Sequence, residues 1–150
     1  MKIVHQKAEL IQQEPGLKGI YKQIELAGRI CYKSEDKITE DSAQGFADRM
    51  IMNKHFAMLE HGTVYLEFFC EQPIKVTHND GTSDVYDATE IYNNLVNKYT
   101  KNPYSKVNEH YTGLGGYAVY ITTNLRVLAE NDWMEDLKYL CEPDANHPCQ

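Results

Sequence analysis

Residues 54–69, KHFAMLEHGTVYLEFF, contain the segment from which the fold can be worked out. Val64, Leu66 and Phe68 occupy every second position, and this period is typical of a β-strand with one buried face. The apolar run therefore predicts a core strand over 64–69. The residues just before it are harder to assign, because they are polar.

Three titratable side chains, His55, Glu60 and His61, stand immediately before this strand. Burying such groups costs free energy unless they are paired, so they form either a site or a polar turn. In a polar turn, His55 would lie at an exposed helix C-terminus, where the helix dipole favours it. Glu60 would pair with Arg29 or Lys54. His61 would satisfy a backbone group where the strand begins.

The segments on either side complete the fold prediction. Apolar residues recur at three- and four-residue steps in four segments, which we expect to be helices: 17–31, 40–54, 87–99 and 132–141. A second strand and a turn at Asn79-Asp80-Gly81 are expected within 70–88, and a third strand over 117–123. Residues 100–116 have the composition of a loop. The candidate N-caps are Asp41 or Ser42 and Thr123 or Asn124. These elements predict an α+β fold, with helices packed on a small, mainly antiparallel sheet.

The composition indicates a single domain and restricts the partners. The chain has 150 residues, 42% of them hydrophobic, which is enough for a core. No stretch approaches the ~20 apolar residues of a membrane span, and the first residues lack the apolar segment of a signal peptide. The net charge of −7 argues against nucleic-acid binding. We therefore expect a cytoplasmic protein with no membrane and no nucleic-acid partner.

The cysteines and histidines show no metal-site spacing. The four cysteines form no CxxC pair and, without a secretory signal, are expected to be free thiols. The six histidines show neither HxxxH nor HExxH spacing, so no zinc site is expected. A thiol enzyme using Cys31 or Cys70 stays open as an alternative, although no activating base is evident in the sequence.

Two motifs resemble a known family when they are taken in order. Residues 27–32, AGRICY, match a helix with the pattern A-A-R-[VT]-[SC]-[YF], and residues 55–69 match a segment with the pattern GHxSxxEHxxFxF. Together they resemble the N-terminal part of the flavin-dependent thymidylate synthases. Residues 120–148 also look like a stretch found in a longer branch of that family.

The resemblance implies a specific activity. Enzymes of this family convert deoxyuridylate (dUMP) to thymidylate (dTMP). Methylenetetrahydrofolate supplies the carbon, reduced FAD supplies hydride, and NADPH reduces the flavin again, while the protein orients the reactants. They are homotetramers whose sites combine several subunits. The implied partners are therefore a small nucleotide, a folate and further copies of the chain.

The resemblance also assigns residues. It implies that His55, Ala57 and Glu60 contact the cofactor and that Arg29 contacts the substrate, while the catalytic residues stay unassigned. It implies one domain over 1–150, in which residues 70–123 are an insertion. Asn124-Leu125-Arg126 matches an Asn-x-Arg flavin contact of the family, but out of order, and a capped helix start is the alternative interpretation.

Three departures from the family pattern lower the expected activity. Ala57 stands where the family often has a small hydroxyl residue, and Lys54 stands where it has glycine. The signature R-H-R-x-x-S-x-N-E-x-S-x-R is absent, and the chain has only three arginines for phosphate-bearing ligands. We therefore expect an incomplete or truncated enzyme that is inactive alone. The alternative is a non-catalytic binding or assembly module that uses the tyrosine-rich region 99–120.

Overall fold

A computed structural model describes residues 8–70, 74–77, 81, 83–86, 88–111 and 116–142. Its helices and strands form an α+β fold, as predicted. The α-helices are α1 (Gly16–Cys31), α2 (Ser42–Met52), α3 (Ala88–Thr100) and α4 (Leu125–Glu130). The strands are β1 (Thr63–Cys70), β2 (Ile74–Thr77), β3 (Ser83–Tyr86), β4 (Lys106–Tyr111) and β5 (Tyr117–Asn124). Short 3₁₀ helices lie at Glu35–Lys37, at Phe56–His61, called the junction turn below, and at Met134–Tyr139.

The predicted core strand is β1, at one edge of a three-stranded antiparallel sheet with the order β1-β5-β4. Leu66 lies opposite Ile121, and Val64 lies opposite Thr123. All four side chains are buried, because side chains opposite each other on paired strands share a face. The alternating pattern of the sequence is thus confirmed in β1.

The outer edge of β1 is contacted by two distant parts of the chain. The side-chain amide of Gln13 donates to the carbonyl of Thr63 at 2.9 Å and accepts from its N–H at 2.9 Å. The N–H of Cys141 donates to the carbonyl of Tyr65 at 3.0 Å, next to an isolated bridge between Leu66 and Leu140. Segments from before α1 and after the last 3₁₀ helix therefore both lie along this strand.

Helices α1 and α2 pack together and against the junction turn. Ile20 and Ile24 of α1 are buried, as the apolar stripe predicts. They approach Gly62 so closely that a Cβ there would lie 2.6 Å from Cδ1 of Ile24. At Gly28, an added Cβ would lie 2.4 Å from Cζ of Phe46 in α2. Glycine at these two positions therefore permits the close packing of helix on helix and helix on turn.

Two of the secondary-structure predictions are wrong. Residues 106–111, predicted as loop, form the edge strand β4, whose side chains are mostly exposed and so lack an apolar alternation. Residues 132–141, predicted as an α-helix, form only the 3₁₀ helix Met134–Tyr139. Leu140 and Cys141 pair with β1 instead, and this extended backbone ends the helix.

Other predictions are confirmed or lie outside the described residues. Strands β2 and β3 form an antiparallel hairpin, with Ile74 opposite Tyr86. Of the turn predicted there, Asn79 and Asp80 lie outside the described residues, whereas Gly81 has a φ of +83°, which suits glycine.

The predicted insertion over 70–123 includes α3, β4 and most of β5, the middle strand of the sheet. Whether these residues are inserted relative to a family stays a prediction. In the part of the chain that the structure describes, no helix is both long enough and apolar enough to span a membrane.

Candidate functional site

The junction turn is fixed to the core through a few residues. Leu59 is fully buried, and the backbone N–H of His55 donates to the carbonyl of Met50 at 2.8 Å. The N–H of Leu125 donates to the carbonyl of Gly62 at 2.9 Å, which joins the start of α4 to the end of the turn. The turn is therefore held from both sides, between α2 and α4.

The predicted cofactor-binding residues lie on the outer side of this turn. His55, Ala57 and Glu60 are all exposed. Helix α2 ends at Met52, so His55 lies beyond the helix terminus, and its imidazole has no hydrogen bond or ion pair to any described residue. His55 and Ala57 are thus accessible to a ligand.

The predicted polar-turn role of His61 finds no support in the described residues. Its side chain is exposed and makes no hydrogen bond to a backbone group there.

Glu60 pairs with Arg126, and not with Arg29 or Lys54 as the sequence suggested. Arg126 uses a second nitrogen, Nη2, for Glu130 at 2.9 Å. The hydrogen bonds from Glu130 and Glu60 raise the pKa of the Arg126 guanidinium above its usual value. A third nitrogen, Nε, is shielded from solvent and has no hydrogen-bond partner among the described residues.

The local structure of α4 explains this pairing. The Asn124 side chain accepts a hydrogen bond from the N–H of Val127 at 3.1 Å and so caps the helix. The cap fixes the first turn of α4 against the junction turn, which directs Arg126 toward Glu60. Of the two interpretations of Asn124, the structural one is confirmed.

Arg29, the predicted substrate contact, belongs to a buried network. Its Nη2 lies 3.1 Å from Oε1 of Glu25, and its guanidinium carbon lies 4.9 Å from the centre of the Phe46 ring. Glu25 is only 2% exposed and accepts a further hydrogen bond from Oγ of Ser42 at 2.7 Å. The arginine is therefore engaged in holding α1 against α2, with little of it free for a phosphate.

Arg49 is a candidate that the sequence did not single out. Its guanidinium carbon lies 6.0 Å from the centre of the Phe46 ring, and the side chain is exposed. It has no carboxylate partner among the described residues. No motif in the sequence distinguishes it from any other surface arginine.

A second polar cluster lies between α3 and the last 3₁₀ helix. The buried carboxylate of Asp136 accepts from the Tyr99 hydroxyl at 2.7 Å and lies 2.5 Å from Nζ of Lys98. The Lys98 ammonium also lies 5.1 Å from the centre of the Trp133 ring. Burial, together with the hydrogen bond and charge of Asp136, raises the pKa of Tyr99 well above its usual range. Sequence reasoning missed this cluster, because its members are far apart in the chain.

Within the described residues, neither the cysteines nor a cluster of metal-ligating side chains adds a candidate site. Cys70 is buried, Cys141 is half-buried and Cys31 is exposed, and no disulfide joins these three described cysteines. Cys149 lies outside the described residues. Within the described ranges, no three His, Cys, Asp or Glu side chains are grouped so that they could hold a metal ion.

How well the chain suits FAD depends on which arginine side chains are available to bind its phosphates. FAD carries a pyrophosphate, and arginine is its preferred bidentate partner. Arg29 and Arg126 already pair with carboxylates of their own chain. His55 and Ala57 are exposed and so leave room for a ring, whereas Arg49 is the only arginine without a carboxylate partner among the described residues. No protein-family model, curated protein or solved structure matches the chain.

Proposed function

We propose that this chain contributes one part of a flavin-dependent thymidylate synthase site. The reaction would be the reductive methylation of dUMP to dTMP, with FAD as cofactor and methylenetetrahydrofolate and NADPH as co-substrates. One observation carries the proposal: the junction turn leaves His55 and Ala57 exposed and open to a ligand, beside Glu60. These three residues belong to the segment 55–69, which is one of the two motifs on which the family resemblance rests.

The same geometry supports an incomplete site. Because Arg29 and Arg126 are held by Glu25, Glu60 and Glu130, Arg49 alone is left among the arginines, and the phosphates of both FAD and dUMP need further donors. Each further copy of the chain in a homotetramer brings the same three arginines, so a separate chain with the arginine-rich signature would supply the remaining donors. The chain alone, a cytoplasmic protein in this proposal, then binds flavin weakly and forms no dTMP.

Titration of the purified chain with FAD, followed by flavin fluorescence, tests the proposal. We expect saturable binding that His55→Ala weakens about fivefold, the value of one lost ring contact. His110→Ala, at an exposed histidine of β4, is the matched control and should leave the affinity unchanged. An assay for dTMP with all co-substrates should give no product from the chain alone.

Two results would overturn the proposal. Equal FAD affinity of the His55→Ala and His110→Ala variants would show that the junction turn is not the flavin-binding surface. Absence of any flavin binding up to millimolar FAD would show that flavin is not a ligand of this chain.

A second candidate function is a non-catalytic binding or assembly module. The observation in its favour is that three tyrosine side chains of this region are exposed: Tyr104, Tyr111 and Tyr117 are 72%, 57% and 46% exposed. The rings of Tyr111 and Tyr117 lie 5.4 Å apart and form one patch. Such a patch is typical of a contact surface.

Sedimentation of the chain and of a Tyr111→Ser, Tyr117→Ser double variant tests this candidate. If the module assembles through this patch, the double variant should sediment as a smaller species. An unchanged size, together with flavin binding at His55, favours the first proposal.

A further inference from the structure

A surface cavity of about 480 Å³ lies between α3 and the turn that joins α4 to the last 3₁₀ helix. Its volume is within the range of small-molecule sites. Three lining residues on α3 have the spacing that puts side chains on one helix face. The residues that matter for the argument are Asn94, Asn97 and Lys98 on α3, Lys101 directly after it, and Asn131 and Trp133 opposite.

The floor of this cavity is held in place. Lys98 is bound to the buried carboxylate of Asp136, which also holds the Tyr99 hydroxyl. The Trp133 ring packs edge-on against the Tyr99 ring, with centroids 5.1 Å apart. The side chain of Asn131 donates to the backbone of α4 at 2.8 Å. The indole wall is therefore preorganised and does not have to be ordered by a ligand.

Three lining side chains remain available for a ligand. The amides of Asn94 and Asn97 and the ammonium of Lys101 have no hydrogen bond or ion pair with any residue that the structure describes. Each amide offers both donors and an acceptor, and Lys101 offers donors and a charge. Lys98, in contrast, is neutralised by Asp136. The cavity therefore presents amides, one unmatched positive charge and an aromatic wall.

These groups define the class of ligand. Hydroxyl groups donate and accept at once, as the amides do, so a polyhydroxylated molecule can satisfy both. The C–H groups of a sugar ring can pack against the part of the indole that lines the cavity, beside the Lys98 ammonium that lies over the same ring. One acidic group would pair with Lys101, whereas the net charge of −7 disfavours polyanions. We propose that this cavity binds a monosaccharide that carries a single acidic group, independently of any flavin site.

The chain contains a single tryptophan, Trp133, so intrinsic tryptophan fluorescence reports on the side chain that lines this cavity. The probes are glucuronate and glucose 6-phosphate, which distinguish a carboxylate from a phosphate as the acidic group. Glucose provides the ring without the acid, and inorganic phosphate provides the acid without the ring. We expect a saturable change with at least one acidic sugar and about tenfold weaker binding of glucose. Phosphate should have no effect.

Matched variants locate the binding. Lys101→Gln should lower the affinity for the acidic sugar about tenfold, to the level of glucose, and Asn97→Ala should lower it about fivefold. Lys106→Gln and Asn93→Ala change exposed residues outside the cavity lining and should leave the affinity unchanged. Equal unfolding temperatures of all four variants would show that the fold is intact.

Four outcomes would overturn the proposal. They are no fluorescence change with either acidic sugar, an equal response to inorganic phosphate, tighter binding of uridine monophosphate than of the sugars, and unchanged affinity in Lys101→Gln. The third would identify a nucleotide site and the second a simple anion site.

Discussion

At Glu25, a carboxylate is removed from water and held by two partners. Arg29 contacts Oε1 and Ser42 contacts Oε2, and the glutamate is only 2% exposed. A buried charge costs several kcal/mol unless such partners compensate it. The network thereby ties the C-terminal half of α1 to the first residue of α2. It also engages Arg29, which is then not available to bind a phosphate group.

Glu25→Ala should leave the half-buried Arg29 charge without its partner. We expect the free energy of unfolding to fall by about 3 kcal/mol in urea titrations. Glu14→Ala is the control, because it breaks an ion pair with Lys22 whose side chains are 39% and 60% exposed. The control should cost less than about 1 kcal/mol. Equal losses in the two variants would contradict the compensating role of Glu25.

Two helical glycines should respond to alanine with opposite signs. In Gly28→Ala, the new methyl group would overlap the buried Phe46 ring, so we expect a loss of about 1–3 kcal/mol. In Gly45→Ala, the nearest atom is Nη1 of Arg49 at 3.6 Å, so the gain in helix propensity should stabilise by about 0.5–1 kcal/mol. Thermal unfolding measures both, and changes of the same sign would refute the packing argument.

Among the elements, α4 depends most on its first residue. It has only six residues, too few to be stable through its own backbone hydrogen bonds. Its Asn124 cap and the hydrogen bond from Leu125 to Gly62 fix it on the junction turn. Because Arg126 lies in the first turn, the element also sets the pairing of Glu60.

Asn124→Ala should therefore cost about 1 kcal/mol in the free energy of unfolding, while Asn124→Asp, which keeps the accepting oxygen, should cost little. Asp41→Ala is a matched control, because Asp41 holds the N-cap position of α2 without a side-chain cap hydrogen bond. It should change stability by less than about 0.5 kcal/mol. Urea unfolding compares the variants, and a larger loss at Asp41 would be the contrary result.

The sequence predicts elements well where the apolar periodicity is strong. It predicts them poorly where contacts with distant parts of the chain decide the structure. β1 and α1 follow from their apolar spacing, but β4 does not, because only Val107 of its core-facing residues is aliphatic. The partner of Glu60 was missed because Arg126 lies 66 positions away, and no local pattern joins them. The burial of Asp136 was not predicted either, because Tyr99, which donates to its carboxylate, lies 37 positions away.

For the molecule as a whole, the Tyr99 hydroxyl links α3 to the last 3₁₀ helix. Its pKa is raised in the folded protein, first by burial and then by the hydrogen bond with Asp136. The unfolded chain ionises this phenol near pH 10. The folded state therefore gains stability from neutral Tyr99 below about pH 10, and this gain is lost as the pH rises above that value.

We expect the free energy of unfolding to fall as the pH rises from 9 to 11 and to fall less steeply in Tyr99→Phe. Tyr104→Phe is the control, because Tyr104 is 72% exposed, and it should reproduce the slope of the unchanged protein. Urea titrations at several pH values give the slopes. Identical slopes in Tyr99→Phe and the unchanged protein would show that this phenol does not contribute.

The two contacts along the outer edge of β1 bear on aggregation. An open strand edge can template pairing with other chains, but here Gln13 and Cys141 occupy the hydrogen-bonding groups of Thr63 and Tyr65. Intermolecular sheet growth is therefore hindered along this part of β1, and β4 forms the opposite edge of the three-stranded sheet. There, Lys106 and Glu109 place charges on the strand, which is a common natural defence against amyloid-like stacking.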